Sequence, residues 1–384
     1  MKSVLYWSPF LTNVATIKAV TNSAVSLKRY SKFYKPIIIN ACGEFNDHKV
    51  YLESNQIEIL NLINYDYHKY LPKLGYLKSR FSYFLIFIIS FIPLIRLIYK
   101  KKPDIFIGHL ITSLPIVISK ILNNKTKFIL RISGLPNLKG FRKLFWKYIA
   151  TNISRITCPT VQTMDNLISQ RIFDKEKIIV LKDPVISPKE VNKKSKENLQ
   201  INLDKNYFNI VSIGRLTKQK NFNLIIRNFK KFLEIKKDIR LYILGDGEQK
   251  KILQNLINEN NLEEKIILLG FQKNVFNYLR KCDLFILSSL WEDPGWVLIE
   301  AAAAKVLILS SDCNNGPKEF LKNEKGGLLF KNNSSESLIE KFKEIMTMNH
   351  LEKRSKIIGS KRNIRDYTIF HHFLKIEKIF DNNL

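Results

Sequence analysis

The stretch Ser288-Ser289-Leu290-Trp291-Glu292-Asp293-Pro294-Gly295-Trp296-Val297-Leu298-Ile299-Glu300 decides the fold. Before it, Leu284 to Leu287 is a short unbroken apolar run, the pattern of a buried parallel strand. After it comes the helix-forming run Ala301 to Ala304. Strand, sharp Pro-Gly turn and helix form the repeating unit of an open α/β sheet. In such sheets ligands sit beyond the carboxyl ends of the strands. Glu292 falls in the loop and Glu300 on the helix, flanking the turn. The turn is poor in cations, so the sequence offers neither acid a local partner.

Working outward, the second half alternates strand and helix. Apolar runs at Phe208–Ile213, Leu241–Leu244, Ile266–Leu269, Val306–Ser310 and Gly327–Phe330 read as strands. Helices read at Phe222–Ile235, Gln249–Glu259, Val275–Lys281, Val297–Ala304 and Ser335–Met346. This alternation predicts a parallel, doubly wound sheet. Ser187 to Asn206 is polar and without periodicity, the expected domain boundary. The first half has the same alternation, with strands at Val4–Trp7, Pro36–Asn40, Ile57–Leu62, Pro103–Ile107, Phe128–Ile132, Ile156–Cys158 and Ile178–Leu181. Two such domains imply a cleft between them.

A chain of 384 residues fits two domains. Its net charge is +29, of which residues 1–190 carry 29 − 11 = +18. A basic chain favours anionic partners: phospholipid, nucleic acid or phosphorylated substrates. The four scattered cysteines form no CxxC pair, which suits a reduced cytosol, and no signal peptide is read at the start. Phe81 to Tyr99 is the most apolar stretch. Its uncharged part, Phe81–Ile95, would span roughly 22 Å as a helix, short of a ~30 Å hydrocarbon core. Its flanks are basic. Membrane-surface association, a buried domain helix and a true span are all compatible with it. The segment Leu138–Tyr148 mixes Lys139, Arg142, Lys143 and Lys147 with aromatic residues, which again suits a membrane surface or a solvated basic face.

Four loops of the second half converge on the carboxyl edge of its sheet. Gly214-Arg215-Leu216-Thr217-Lys218-Gln219-Lys220 follows the first strand; its glycine permits the turn, and Arg215 and Lys220 can reach a diphosphate. Gly245-Asp246-Gly247-Glu248 is a tight turn. Gly270-Phe271 and Asp312 to Lys318 follow later strands, and Asn315-Gly316-Pro317 opens a helix whose free amides suit phosphate. In the first half, His109 ends a strand and sits in a cleft position, where a structural and a functional role are equally compatible with it. No DxD motif or Cys/His cluster is present, so no tightly bound catalytic metal is expected, and Arg215 and Lys220 would carry the charge of a leaving diphosphate.

Together these loops resemble a family 4 retaining glycosyltransferase with the two-domain GT-B fold. The matching marks are GRLTKQKN from Gly214, GDGEQ from Gly245, LLGF ending at Phe271, and Glu292 paired with Glu300 across seven residues. NGPKEFL and GGLLF follow in order. The resemblance implies an α/β chain of two doubly wound, Rossmann-like domains facing a cleft. Residues 1–187 would bind the acceptor, 206–360 the nucleotide-sugar donor, and 361–384 would form a helix crossing back. Gly214, Arg215, Lys220, Gly245 and Asp246 would meet the donor. Glu300 would bind its ribose, and Glu292 with Gly295, Trp296 and Val297 its sugar. Phe271 would sit against the base. His109 would act near the sugar, with Asn13 and Arg131 toward the acceptor. The implied co-substrate is a nucleotide sugar, with a UDP-sugar favoured, and no cofactor is tightly bound. The implied acceptor is a lipid-linked or cell-surface glycan precursor on the inner face of the cytoplasmic membrane, an anionic surface. Three positions depart from the family. The first loop lacks the glycine pair near Asn13, Asp293-Pro294-Gly295-Trp296 replaces Gly-Phe-Pro, and Ala303-Ala304-Lys305 stands where a glycine ends the helix. A nucleotide-sugar epimerase of the same fold, a basic nucleic-acid-binding protein and an inactive subunit are the alternative readings. No recognisable nucleic-acid module is present, and no nucleic-acid partner is expected.

Overall fold

The computed structural model describes residues 1–12, 15–72, 76–109, 113–122, 125–134, 136, 138–199 and 203–381. The chain divides into two compact units, Met1–Val185 together with Ile369–Leu384, and Ile186–Thr368. Its strands are β1 (Lys2–Trp7), β2 (Tyr34–Asn40), β3 (Glu58–Asn61), β4 (Ile105–His109), β5 (Lys127–Arg131), β6 (Ile153–Cys158) and β7 (Ile178–Val180). Then follow β8 (Phe208–Ile213), β9 (Ile239–Leu244), β10 (Ile266–Gly270), β11 (Leu284–Leu287), β12 (Leu307–Ser311) and β13 (Leu328–Phe330). The first unit's helices are α1 (Ala15–Tyr30), α2 (Lys49–Ser54), α3 (Tyr76–Lys101), α4 (Leu114–Leu122), α5 (Phe141–Ile149) and α6 (Val161–Ser169). The second unit's are α7 (Pro188–Lys194), α8 (Phe222–Ile235), α9 (Lys250–Glu259), α10 (Phe276–Leu279), α11 (Trp296–Ala304), α12 (Pro317–Phe320), α13 (Ser335–Thr347) and α14 (His350–Asn363). The last helix, α15 (Ile369–Phe380), belongs to the first unit.

The first unit holds a seven-stranded sheet in the order β3-β2-β1-β4-β5-β6-β7, with every pairing parallel. Side chains alternate faces along a strand. Leu5, Trp7, Ile39, Phe106 and Leu130 therefore build one core, and Val4, Tyr6, Ile38, Ile107 and Ile129 the core on the opposite face. Both faces are covered, which is why these strands read as continuous apolar runs. The second sheet is also parallel, in the order β10-β9-β8-β11-β12-β13. Ile210, Leu241, Ile243, Ile286 and Leu309 pack there against Phe229 and Phe232 of α8 and Phe342 of α13. Phe232 and Phe342 stack with centroids 4.1 Å apart.

The order of each sheet reverses once, between β1 and β4 in the first unit and between β8 and β11 in the second. At such a switch point the two adjacent loops leave in opposite directions and open a crevice. In the second unit those loops are Gly214–Lys220 and Ser288–Gly295.

The polar segment 187–206 differs from the expected linker. It carries α7, started by Ser187 at the N-cap and Pro188 in the first turn, which packs on α10 and α11. Asn274 and Asn277 donate their side-chain amides to the carbonyls of Lys194 and Asn198. The segment thus belongs to the second unit, which runs from Ile186 to Thr368 rather than from 206 to 360. The helix α11 ends at Lys305 with φ +65°, a left-handed position that a glycine would occupy more cheaply. The helix α3 runs 26 residues without interruption, with Pro93 inside it.

Candidate active site

The second unit's switch point is built backbone on backbone. A Cβ at Gly245 would lie 1.8 Å from the Gly214 carbonyl oxygen, and one at Gly247 would lie 2.5 Å from that of Leu216. The loop after β9 therefore rests directly on the loop after β8, which any side chain there would prevent. Leu216 N donates to Asp246 O, and Gln249 N to Leu216 O. These contacts fix where Arg215 and Lys220 start.

The loop after β11 is held from both sides. Leu290 N donates to Gln219 O, and Gln219 Nε2 donates to Trp291 O at 2.9 Å. Ser288 Oγ donates to Lys220 O at 2.8 Å, and Ser311 Oγ to Ser289 O at 2.6 Å. On the far side, Glu292 N donates to Asn314 O, and Asn315 Nδ2 to Asp293 Oδ1 at 2.8 Å. A Cβ at Gly316 would meet Pro294 O at 2.1 Å. Gly295 caps α11 with φ +89°, which a side chain disfavours. The chain thus turns tightly from strand to helix beside the crevice.

Within this frame Lys220 Nζ donates to Glu292 Oε1 at 2.5 Å, and Ser289 Oγ donates to the same oxygen. The lysine side chain is 13% exposed and that of the glutamate 6%. The turn itself offers Glu292 no cation, yet the carboxylate has one in Lys220. The cation comes from a loop 72 residues earlier in the chain, brought alongside because β8 and β11 are neighbours. A buried carboxylate needs such a partner, since an unpaired charge there is costly.

The other expected residues fall into distinct positions. Arg215 is exposed at the mouth of its loop, and Asp246 is exposed, accepting from Gly247 N and facing Lys250 at 3.8 Å. Glu300 is buried on α11, as is Trp296, and Val297 is partly buried. Phe271 stands out after β10 at 76% exposure. Trp291, beside Glu292 and half exposed, was not singled out by the sequence reading, although a large aromatic in a strand-end loop is a visible signal. The short helix α12 begins at Pro317, but Asn315 just before it is engaged by Asp293.

In the first unit His109 ends β4 opposite Arg131 of β5. It is buried, and burial, followed by the nearby Arg131 and His372, holds its imidazole well below the ordinary range. Arg131, expected to face an acceptor, is instead buried and committed inward. Its guanidinium donates to Asp183 Oδ1 at 2.5 Å and to Leu181 O at 2.6 Å. Beside them Tyr6 OH and Ser23 Oγ are 3.0 Å apart, and Ser23 Oγ lies 2.9 Å from His372 Nε2. Nδ1 of His372 is 2.9 Å from Lys182 O, so α15 is tied into this cluster. Burial pushes His372 down to about 4. A cavity of about 20 Å³ lies among His109, Arg131, Asp183 and His372. Asn13 lies outside the described residues. Among the described residues no group of three or more His, Cys, Asp or Glu side chains is placed to hold a metal ion.

Comparison with known proteins shows what the second unit resembles. The profile of the family described as Glycosyl transferases group 1 matches residues 192–363. An uncharacterized glycosyltransferase of Methanocaldococcus jannaschii is 33% identical over 252 residues, covering 59% of this chain and 60% of that protein. An N-acetylgalactosamine-N,N'-diacetylbacillosaminyl-diphospho-undecaprenol 4-alpha-N-acetylgalactosaminyltransferase of Campylobacter jejuni is 29% identical over 248 residues, covering 62% of this chain and 66% of that protein. The matched part thus spans less than two thirds of either relative. The Anabaena HepE structure in complex with UDP-glucose superposes over the whole of both chains with a TM-score of 0.71 at 14% identity, a likeness of fold. With two parallel α/β sheets and this likeness of fold, the chain has the GT-B fold, and its residues 192–363 resemble the group 1 glycosyl transferases.

Proposed function

We propose that the protein transfers a sugar from a nucleotide-diphosphate donor, a UDP-sugar, to a hydroxyl of a lipid-linked or cell-surface glycan precursor, with retention of anomeric configuration. The observation that carries this reading is the Lys220–Glu292 pair, set at the switch point between β8 and β11 with Arg215 exposed beside it. A cation held in place by a buried carboxylate is pre-organised, so little side-chain freedom is lost when an anion arrives. In this reading Arg215 and Lys220 take the diphosphate, Glu300 the ribose hydroxyls, and Glu292 with the Gly295 turn the donor sugar. Phe271 lies against the base, and His109 acts near the sugar. The Campylobacter relative is named for a diphospho-undecaprenol-linked acceptor, and the Anabaena protein is described with UDP-glucose. Both support the substrate classes proposed here, and the matched glycosyl transferase profile favours transfer over epimerisation or nucleic-acid binding.

In the reaction the bond between the anomeric carbon and the β-phosphate oxygen breaks. A new bond forms from the acceptor oxygen to the same carbon on the same face. The acceptor proton passes to the leaving diphosphate, whose charge Arg215 and Lys220 carry without a tightly bound metal. The protein would work peripherally on the inner face of the cytoplasmic membrane.

The test is a transfer assay with UDP-sugars and an undecaprenyl-diphosphate-linked sugar, the product's anomeric configuration being read by NMR. A product that keeps the donor's configuration, and that is lost in Glu300→Ala, is expected. Full activity in that variant would refute the role of Glu300. An altered monosaccharide released without acceptor would instead indicate an epimerase.

A further inference from the structure

The helix α3 is apolar on its outward side as well as in its packed stripe. Its packed stripe is Ser82, Ile86, Ser90, Leu94 and Ile98, none more than 1% exposed and four residues apart. Its outward side carries Leu77, Phe81, Phe84, Ile88 and Ile92, exposed by 54–77%. An aqueous surface selects polar residues on the outward side, where α3 carries large apolar ones, while Ser82 and Ser90 face in. The inward Ser82 hydroxyl is satisfied by the Pro72 carbonyl at 2.7 Å. The helix α4 packs against both α3 and α5. On α5, Phe141, Leu144 and Tyr148 are exposed by 67–84%, while Trp146 and Ile149 are buried on its other side.

Charge identifies what covers this apolar face. Between Asp66 and Asp165 the sequence holds 17 Lys and Arg and a single acid, Asp104. Lys78 and Arg80 stand at one end of α3 and Lys100, Lys101 and Lys102 at the other, all exposed. Arg142, Lys143 and Lys147 of α5 are exposed among its apolar residues. A second copy of the chain would bring like charge against like charge. A leaflet of anionic lipid supplies both the apolar medium and the opposite sign.

We propose that this face docks on an anionic bilayer leaflet, with α3 lying along the interface and the exposed side of α5 as a second point of insertion. By length and composition α3 could cross a membrane, but its packing opposes a span. Leu94 and Ile98 are part of the first unit's core and would have to leave it. The uncharged run Phe81–Ile95 covers only roughly 22 Å. The inference deepens the proposed function, since the acceptor proposed there is lipid-linked, but it concerns a surface that the donor does not touch.

Flotation of the full chain with vesicles tests it. The chain should float with phosphatidylglycerol-containing vesicles and not with phosphatidylcholine alone, and added salt should release it. Phe84→Asp and Ile88→Asp should each lower partitioning at least ~10-fold, and Leu144→Asp should act in the same direction. Ile252→Asp, at an exposed apolar residue of α9, should change nothing. Far-ultraviolet circular dichroism of each variant should match the parent. Equal flotation with neutral vesicles, or unchanged flotation of Phe84→Asp and Ile88→Asp, would overturn the proposal. So would retention on the vesicles through an alkaline carbonate wash, which marks a span, or a dimer by light scattering with no vesicle binding. Flotation in a chain that binds no nucleotide would uphold this surface while refuting the donor site; nucleotide binding without flotation would do the opposite.

Discussion

Replacing Lys220 with Met probes the heart of the second unit. The change leaves the Glu292 carboxylate, 6% exposed, with one remaining side-chain donor, Ser289. Removing one partner of a buried ion pair costs about 3–5 kcal/mol because the other charge stays desolvated. The lysine is 13% exposed, so water reaches the vacated position in part, and a loss near the lower figure follows. At about 2–4 °C per kcal/mol for a unit of this size, ~3 kcal/mol lowers the unfolding midpoint by about 6–12 °C. Glu292→Gln should cost less, because the long Lys220 stem can turn its ammonium to water. Lys220→Met combined with Glu292→Leu removes both charges and should recover most of the loss, giving a coupling of at least ~2 kcal/mol. The assay is thermal unfolding of the full chain for the parent, both single variants and the double variant. A coupling below ~0.5 kcal/mol would show that the pair does not form, and the pre-organised site would go with it. In the same preparations Lys220→Met should raise the Kd for UDP about 10-fold or more, since one charge-assisted bond is lost.

Other outcomes follow from the same geometry. Gly245→Ala places a methyl 1.8 Å from the Gly214 carbonyl oxygen, so it should destabilise by at least ~2 kcal/mol in thermal unfolding and weaken nucleotide binding. Arg131→Met removes the guanidinium from the buried Asp183 carboxylate and should cost about 3 kcal/mol or more, while Arg131→Met with Asp183→Leu should recover part of it. Burial holds His372 at about 4, against roughly 6.5 in the unfolded chain. Between those values the unfolded chain binds the extra proton, so stability is complete above pH ~6.5 and falls by about 3 kcal/mol as the pH drops to ~4. Urea unfolding followed across that window should show at least this slope, and His372→Gln should reduce it, leaving the share of His109, which burial also holds down.

The strands were legible because a parallel sheet covered on both faces writes itself as unbroken apolar runs, as at Leu241–Leu244 and Leu284–Leu287. The loops of the second unit were legible because they need glycine, at Gly245 for its close approach to the Gly214 backbone and at Gly295 for its φ of +89°. Pairings across the sheet were not. Lys220 and Glu292 are 72 residues apart, and Arg131 and Asp183 are 52 apart. Only strand order brings them together, so a local reading found the turn without a cation and took Arg131 to be available. The helix α14 was missed because it has no apolar stripe. Its signal is the capping box of Asn349 and Glu352, spaced three apart. Ser187 and Pro188 likewise mark the start of α7 inside a segment whose polarity suggested a linker. For α3 the sequence supplied the apolar length and basic ends. The side facing out became visible only once Ser82 and Ser90 were seen to face in.

Calorimetric titration of the full chain with UDP, GDP, ADP and CMP tests the central claim most directly. Selective binding of UDP, weakened at least ~10-fold by Glu300→Ala and by Lys220→Met, is the predicted result. Absence of binding by every nucleotide, or UDP binding unaltered by both substitutions, would contradict it.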